Sequence, residues 1–208
     1  MIETVIKGVY LKFETLNDLF SPRDIDRGTL AMLSVIEFEA DDKVCDLGCA
    51  YGTVGILAAK IIGSENVIMI DNNEKAIEIT KKNIILNDLS DISVLLSDGF
   101  SNIQESSFTK IICHPPYHVD FSVPKSFIEK GFNRLEKSGA LYMVTKRKDW
   151  YKNKLTSIFG GVEIWEIDDY YVFKAVKRID SYANIKKKKN KVKTPPSEHS
   201  RKKRNFKA

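Results

Sequence analysis

Short apolar runs alternate with amphipathic segments between residues 43 and 159, and this alternation constrains the fold more than any other feature. Strands are predicted over 43–47, 66–70, 92–96, 110–113 and 140–145, and helices over 53–62, 74–86, 127–135 and 150–159. Strands that alternate with helices build a parallel sheet covered on both faces. Two last runs flank Asp168-Asp169 and predict a closing antiparallel hairpin over 162–167 and 170–176. We therefore expect an α/β fold with a mostly parallel seven-stranded sheet.

The distribution of charge divides the chain into a mildly acidic body and a basic tail. Residues 181–208 hold eleven of the 33 Lys and Arg residues but only one of the 28 Asp and Glu residues. This segment has almost no apolar residues to bury, so we expect it to be disordered and to attract polyphosphate by releasing counterions. Residues 1–180 should form one domain that opens with a strand and helix segment over 1–40. The tail indicates nucleic acid as a partner, although a merely solubilising tail has the same composition.

Composition also limits the location of the protein. No apolar run approaches the roughly 20 residues that a membrane helix needs, and the first ten residues lack a signal-peptide core. The three cysteines, Cys45, Cys49 and Cys113, are an odd number without the spacing of a metal site. We therefore expect a cytoplasmic protein that contacts no membrane and uses no metal.

The segment DLGCAYGTVGI, behind the first strand of the predicted sheet, is a glycine-rich turn into a helix. Gly48 allows a sharp turn and Gly52 a close approach of the helix, but the spacing fits neither a dinucleotide fingerprint nor a phosphate-binding loop. Asp46 precedes Gly48 by two residues, where it would repel phosphate and could hold an ammonium group, directly or through water. The turn therefore favours a ligand that has an amino group and no phosphate.

Two further acids follow the next two strands. Asp71, with Asn72 beside it, is placed to accept hydrogen bonds from both hydroxyls of a ribose. Asp98, before Gly99, could accept from an adenine amino group, while Phe100 could offer an apolar face. A single Asp at a strand end is often only a helix cap, but three in order suit an amino acid, a ribose and an adenine. Together these groups indicate S-adenosylmethionine as the cofactor.

The motifs resemble those of class I S-adenosylmethionine-dependent methyltransferases, and within them the methyltransferase small domain group, similar to small-subunit rRNA guanine-N2 methyltransferases. The resemblance spans about residues 9–176 and includes FSPRDIDRGT, DLGCAYG, MIDNN, SDGF and HPPYH. It implies a Rossmann-like methyltransferase fold. It also implies that the turn with Asp26, Gly28 and Thr29 closes over the methionine part of the cofactor.

The segment ICHPPYHVD places two prolines behind a strand, which must end there because proline cannot donate to the sheet ladder. In the loops that this segment resembles, the first side chain and the first proline carbonyl accept hydrogen bonds from a target amine, and the aromatic ring stacks on the base. The resemblance thus assigns His114 and Pro115 as acceptors, Pro116 as the stiffening residue and Tyr117 as the stacking platform.

Two positions depart from the family pattern. Ala50 replaces the usual glycine, and its methyl group should narrow the turn without abolishing cofactor binding. His114 replaces Asn, Asp or Ser. A neutral imidazole has one acceptor nitrogen and can replace an amide oxygen, whereas a protonated one has none. We therefore expect activity to fall in mild acid, and the variant His114→Asn to keep it.

The leading interpretation is an N-methyltransferase for an exocyclic base amine of RNA, with guanine N2 of rRNA as the best single assignment. RNA would contact the body and the basic tail, and the protein would act as a monomer or homodimer. An alternative substrate is a protein glutamine amide, which presents the same donor geometry. A third hypothesis is a ribosome-assembly factor that binds the cofactor without catalysis. Lys146, Arg147 and Lys148 could contact substrate phosphates or form a solvated charge run, and His118 could contact substrate or only solvent.

Overall fold

A computed structural model of the protein describes residues 1–116 and 120–178. A hairpin of β1 (Ile2–Ile6) and β2 (Val9–Phe13) precedes α1 (Arg27–Val35). The alternating part then follows in chain order: β3 (Val44–Leu47), α2 (Thr53–Ile62), β4 (Val67–Asp71), α3 (Glu74–Leu86), β5 (Ser93–Leu96), β6 (Phe108–Cys113), α4 (Ser122–Arg134), β7 (Leu135–Thr145), α5 (Lys148–Phe159), β8 (Glu163–Ile167) and β9 (Tyr170–Val176).

Strands β3 to β9 form one seven-stranded sheet in the order β5-β4-β3-β6-β7-β9-β8. The pairs from β5 to β7 are parallel, whereas β9 pairs antiparallel with both β7 and β8. Asp168 and Asp169 form the tight turn of the last hairpin, with φ of 50° and 64°, as a primed hairpin turn requires. The predicted mostly parallel sheet and its closing hairpin are confirmed.

Helices cover both faces of the sheet. One layer contains α1, α2 and α3, whose apolar faces surround buried residues such as Met32 and Leu57. The other contains α4 and α5 around Phe132 and Phe173, and burial of each such ring contributes roughly 1.5–3 kcal/mol. Because both faces of the central strands are packed, the loops at their carboxyl ends start from fixed positions.

Helices α2 and α3 have the predicted bounds because both carry clear end signals. Gly63 ends α2, and its N–H donates to the carbonyl of Ala59 at 3.0 Å. Asn73 caps α3 by accepting from the backbone N–H of Lys75 at 3.0 Å.

The bounds of α4 and β7 differ from the prediction. Helix α4 begins at Ser122 instead of residue 127 and includes Pro124 in its first turn. Proline is tolerated there, because the backbone N–H groups of the first turn make no hydrogen bond within the helix. Strand β7 begins at Leu135 instead of residue 140. It pairs with β6 across an irregularity next to Ser138, whose φ is 72°.

Two asparagines, one in α3 and one directly after its last residue, fix the N-terminal hairpin to the domain. Asn87 accepts from the Lys12 N–H at 3.0 Å and donates to its carbonyl at 2.7 Å. Asn83 makes the same pair of bonds with Glu14, at 2.8 and 2.9 Å. Each amide thus pairs with the backbone as a neighbouring strand would. The opening strand and helix segment predicted over 1–40 is a two-stranded hairpin followed by α1.

Residues 117–119 and 179–208 lie outside the described residues, and with them the basic tail. Within residues 1–116 and 120–178, no helix combines the length and the apolar character that a membrane crossing would need. The three cysteines are buried thiols, and burial raises the pKa of each well above its usual range.

Candidate active site

A cavity of about 380 Å³ opens at the carboxyl ends of β3, β4, β5 and β6. Its volume lies in the range of roughly 300–1,000 Å³ that small-molecule sites occupy. The order of the strands reverses between β3 and β6, which is where open α/β sheets bind ligands. The cavity brings together ten of the predicted site residues: Thr29, Asp46, Gly48, Ala50, Asp71, Asn72, Asp98, Gly99, His114 and Pro116.

The glycine loop behind β3 is held by backbone hydrogen bonds to β4. The N–H groups of Gly48 and Cys49 donate to the carbonyl of Ile70 at 2.8 and 2.9 Å. Gly48 has a φ of 83°, and no atom lies within 4 Å of the place a Cβ would take, so a ligand can approach its backbone closely. Ala50 also has a positive φ, 51°, which costs a residue with a Cβ roughly 1–2 kcal/mol. Its N–H donates to Asp71 Oδ2 at 2.9 Å.

Asp46, at the end of β3, is 3% exposed, and its Oδ2 accepts from the Gly55 N–H at 2.8 Å. Burial above all, with a smaller contribution from the charge of Asp71, raises the pKa of Asp46 to about 7 in spite of the Gly55 hydrogen bond. A buried carboxyl with a raised pKa is stabilised in its charged form by a cation. Asp46 therefore anchors the start of α2 and also suits a ligand with an ammonium group.

Asp71 and Asp98 lie on successive strand ends of the same cavity. Asp71 Oδ1 accepts from the Asn73 N–H at 2.9 Å, and Oδ2 accepts from Ala50. A carboxylate oxygen can accept more than one hydrogen bond, so Asp71 can still accept from two ligand hydroxyls. Asp98 is exposed at the cavity, and Asn72 also lines it. This placement suits a sugar at Asp71 and an amino group of a base at Asp98.

Two of the predicted cofactor residues do not reach the cavity. Phe100 is 3% exposed and packs in the core shared with α4, and Gly52 lies behind the loop, at the start of α2. The apolar wall beside Asp98 is formed instead by Phe127 of α4, whose ring would lie 2.9 Å from a Cβ on Gly99. Sequence reasoning missed Phe127, although its position four residues after Val123, another cavity residue, indicates one helix face.

His114, directly behind β6, faces the start of α1. Its Nδ1 lies 3.3 Å from Asp26 Oδ2 and 3.1 Å from Thr29 Oγ1. Burial raises the pKa of Asp26, but the hydrogen bonds from His114 and from the Thr29 N–H outweigh it and hold this pKa below its usual value. The ionised Asp26 favours a hydrogen on Nδ1, so in a neutral His114 the lone pair is on Nε2.

Aromatic rings fix the orientation of His114. Phe20 and Tyr170 meet its ring edge to face, with ring centroids 5.0 and 6.3 Å away. Tyr170 also explains the glycine in the DRGT turn, because a Cβ on Gly28 would lie 2.5 Å from its ring. The DRGT turn, the start of the HPP loop and the start of β9 are thus packed together at the rim of the cavity.

Residues 14–26, here called the cover loop, lie over one side of the cavity. Leu19 and Phe20 of this loop line the cavity, and Asp18 forms an ion pair with Lys75 at the start of α3. The motif FSPRD pointed to this segment, but its spacing does not show which residues face the ligand.

The HPPY loop is described only in part. Pro116 is exposed and lines the cavity, and Pro115 is buried behind it. Tyr117 and His118 lie outside the described residues, so the stacking platform stays a prediction.

The charges of the cavity fit the cofactor that the motifs predict. Among the described residues that line it are five Asp side chains, of Asp18, Asp26, Asp46, Asp71 and Asp98, and no Lys or Arg. Such a lining disfavours phosphates and favours a ligand with positive charge. S-adenosylmethionine carries an ammonium and a sulfonium group, and its ribose and adenine suit Asp71, Asp98 and Phe127.

Comparison with known proteins decides the family. The sequence model of the Methyltransferase small domain matches residues 10–174. The chain belongs to this family. Uncharacterized protein YbxB of Bacillus subtilis is 30% identical over 171 residues, which cover 79% of this chain and 85% of YbxB. Ribosomal RNA large subunit methyltransferase G of Yersinia enterocolitica is 27% identical over 172 residues, which cover 79% of this chain and 43% of that enzyme.

Solved structures of methyltransferases share the fold. A 16S rRNA N2-G methyltransferase of T. thermophilus, in complex with AdoMet and guanosine, aligns with a TM-score of 0.72 and 23% identity over 85% of this chain and 50% of that one. A methyltransferase of Pyrococcus furiosus aligns with a TM-score of 0.70 and 16% identity over 81% and 90% of the two chains. The chain therefore spans about half the length of the rRNA methyltransferases it matches.

The Methyltransferase small domain protein described here has the class I methyltransferase fold and takes S-adenosylmethionine as its cofactor. Both predictions are confirmed.

Proposed function

We propose that the protein is an RNA N-methyltransferase that acts on an exocyclic base amine, with guanine N2 of rRNA as the best supported target. The main support for this proposal is that acidic residues and the residues of the HPP loop line the same cavity. Five acids surround the cofactor part, and His114 with Pro116 of the HPP loop borders the same space. The loop therefore begins next to the cofactor, where a flat amine-bearing target has to be held.

The relatives favour RNA over the other candidate substrates. Ribosomal RNA large subunit methyltransferase G is named for an RNA substrate, and the aligned T. thermophilus enzyme is an rRNA N2-G methyltransferase solved with guanosine. The two act on different ribosomal subunits, so they support the chemical class of the target and leave the subunit open. Neither of these two relatives is named for a protein substrate.

The residues of the site act on the amine by orienting it. S-adenosylmethionine supplies an electrophilic methyl group when it is bound. With Nδ1 of His114 donating to Asp26, Nε2 accepts one N–H of the target amine, and the carbonyl of Pro115 accepts the other. These two acceptors turn the nitrogen lone pair toward the methyl group, and the methylated amine then loses its extra proton to water.

The domain limits, the location and the oligomeric state complete the proposal. We place the catalytic domain at residues 1–180 and propose that the basic segment 181–208 adds non-specific affinity for RNA. The protein would act in the cytoplasm, as a monomer or homodimer. Tyr117 would stack on the target base.

The test is transfer of labelled methyl groups from the cofactor into total RNA and total protein of cells that lack the gene. We expect label in RNA alone, and mass spectrometry of the rRNA nucleosides should then give N2-methylguanosine. Label in protein would support the glutamine-amide reading. Tight cofactor binding without any transfer would support a catalytically silent assembly factor, and either result would overturn the proposal.

A further inference from the structure

Three consecutive cations follow the central strand β7, and each rests on a different aromatic ring. The Lys146 ammonium lies 4.8 Å from the ring centre of Tyr170, the Arg147 guanidinium 5.1 Å from Phe121, and the Lys148 ammonium 4.8 Å from Tyr171. All three cationic side chains are exposed. We call Lys146, Arg147 and Lys148 the cationic rim.

The cationic rim borders the candidate active site. Tyr170, beneath Lys146, is the residue that packs against Gly28 and lies edge to face with His114. Phe121, beneath Arg147, directly precedes α4, the helix that supplies Val123 and Phe127 to the cavity. The rim therefore lies beside the opening through which a target base must reach His114.

The aromatic contacts distinguish the rim from an ordinary solvated charge run. Phe121 is 37% exposed and stacks on Trp150 with ring centroids 4.5 Å apart, so the support of Arg147 is itself held in place. A cation over an exposed aromatic ring gains roughly 0.5–1 kcal/mol. Side chains that are already ordered lose less entropy when they bind a ligand.

Nearby acids neutralise the two lysines of the rim only weakly. Lys148 lies 3.8 Å from Glu166, but both side chains are substantially exposed, at 42% and 62%. Asp149 follows in the first turn of α5, where it also suits the helix N-terminus. Among the described residues, no carboxylate forms an ion pair with Lys146. The rim therefore retains positive charge beside a cavity that is lined with acids.

We propose that the cationic rim binds the phosphates of the single-stranded RNA segment that flanks the methylated nucleotide. This inference rests on the proposed function and adds the surface that holds the substrate. A base amine engaged in Watson–Crick pairing cannot enter the cavity, so the target nucleotide has to leave its stack. Phosphate contacts on one side of the target then fix the register of the strand without reading its sequence.

The experiment compares two triple variants of the full-length chain that lose the same charge. The rim variant is Lys146→Gln, Arg147→Gln and Lys148→Gln. The control variant is Lys60→Gln, Lys81→Gln and Lys82→Gln. It removes exposed cations from α2 and α3, the helices that connect β3, β4 and β5 in the half of the sheet away from β7. Affinity for the RNA fragment methylated by the wild type is measured over a range of salt concentrations, with cofactor affinity and thermal unfolding measured for each variant.

We expect the rim variant to bind RNA about 10- to 100-fold more weakly at 0.1 M salt, as expected for a few lost phosphate contacts. The slope of log affinity against log salt should flatten by about 2, at roughly 0.7 per phosphate on a single strand. The control variant should stay within about threefold of the wild type, because the lost cations lie away from the site. Cofactor affinity should be unchanged in both.

Equal losses in the two triple variants would mean that only total charge matters, and would overturn the rim proposal. So would an unchanged salt slope in the rim variant. If the rim variant does not fold, the single variants Lys146→Gln and Lys148→Gln replace it, each with an expected slope change of about 0.7. A wild-type protein that methylates no RNA would refute the proposed function itself, and that result is distinct from the other two.

Discussion

The two halves of the sheet edge differ in charge and in burial. Behind β3, β4 and β5 lie three acids: Asp46 and Asp71 accept from backbone N–H groups, Asp46 is almost fully buried, and Asp98 is exposed. Behind β6 and β7 lie an imidazole and three exposed cations supported by aromatic rings. The first half suits a small cationic ligand and the second a large polyanion. On our proposal, this difference lets one sheet bind two ligands of opposite charge side by side, because the charge of each half disfavours the ligand of the other.

The strongest test of this division lies at His114, where the halves meet. The variant His114→Ala removes the acceptor for the amine and should lower kcat about 100-fold, the cost of a poorly oriented reactant. Cofactor affinity should change little, because the cofactor acids lie on other strands. His114→Asn should restore most of the activity, since its amide oxygen also accepts. An alanine variant with full activity would remove His114 from the mechanism.

Substitution of Asp26 sharpens the same test. Asn keeps the cap of α1, because it can accept from the Thr29 N–H as Asp26 does at 2.8 Å. It removes the charge that favours a hydrogen on Nδ1 of His114. Asp26→Asn should therefore alter the pH profile of kcat while thermal stability is kept. Loss of stability with an unaltered profile would show that Asp26 acts only as a cap.

Asp71 tests the cofactor half alone. The variant Asp71→Asn loses a charged acceptor for ligand hydroxyls, and hydrogen bonds to charged groups contribute roughly 1.5–3 kcal/mol each. We expect cofactor affinity to fall about 10- to 100-fold in calorimetric titrations. RNA affinity measured without cofactor should stay the same. A parallel loss of RNA affinity would mean that the two halves are not independent.

The pKa of Asp46, raised to about 7, predicts a pH dependence of cofactor binding. Below pH 7 the free protein holds a proton that a cationic ligand must displace, so affinity should rise about fivefold from pH 6 to pH 7, and about twofold more before it levels off near pH 8. Calorimetry in buffers of different ionisation enthalpy should detect the released proton. The stability of the free protein should fall as the pH rises from about 4 to 7, because the Asp46 carboxyl of the unfolded chain loses its proton at a lower pH than that of the folded protein. Asp46→Asn should flatten the dependence on pH of both cofactor affinity and stability. A wild-type cofactor affinity that does not change with pH would contradict the role given to Asp46.

The smallest effect is expected at Ala50. Its φ of 51° strains a residue with a Cβ, and glycine would relieve this strain. Glycine also raises the conformational entropy of the unfolded chain, which offsets part of the gain, so Ala50→Gly should raise the free energy of unfolding by about 0.5–1 kcal/mol. Urea unfolding of the free protein measures this change. A destabilised variant would show that the methyl group makes packing contacts that outweigh the strain.

The sequence predicted the parts of the molecule that depend on local patterns. The helices with clear caps, α2 and α3, were predicted to the residue, and the acids at the strand ends reach the cavity as expected. The start of α4 was missed because a proline is compatible with the first turn of a helix as well as with a loop.

Contacts between distant parts of the chain could not be predicted in the same way. Thr29 and His114 are 85 residues apart, and no periodicity indicates that they meet. Phe100 and Phe127 are both aromatic residues near a strand end or helix start, and only the packing of α4 decides which one faces the cavity. The support of Lys146 and Lys148 by Tyr170 and Tyr171 likewise depends on the register of β9 beside β7.

The asparagine contacts between α3 and the end of β2 have a consequence for the release of spent cofactor. They immobilise the chain up to Glu14, and the cap at Asp26 immobilises it again where α1 begins. The cover loop is therefore tethered at both ends, and between them it is held by the exposed Asp18–Lys75 ion pair and by hydrogen bonds from the Tyr51 hydroxyl to the carbonyls of Ser21 and Asp24. Bending within this loop, rather than movement of the sheet, would then open the way for spent cofactor to leave.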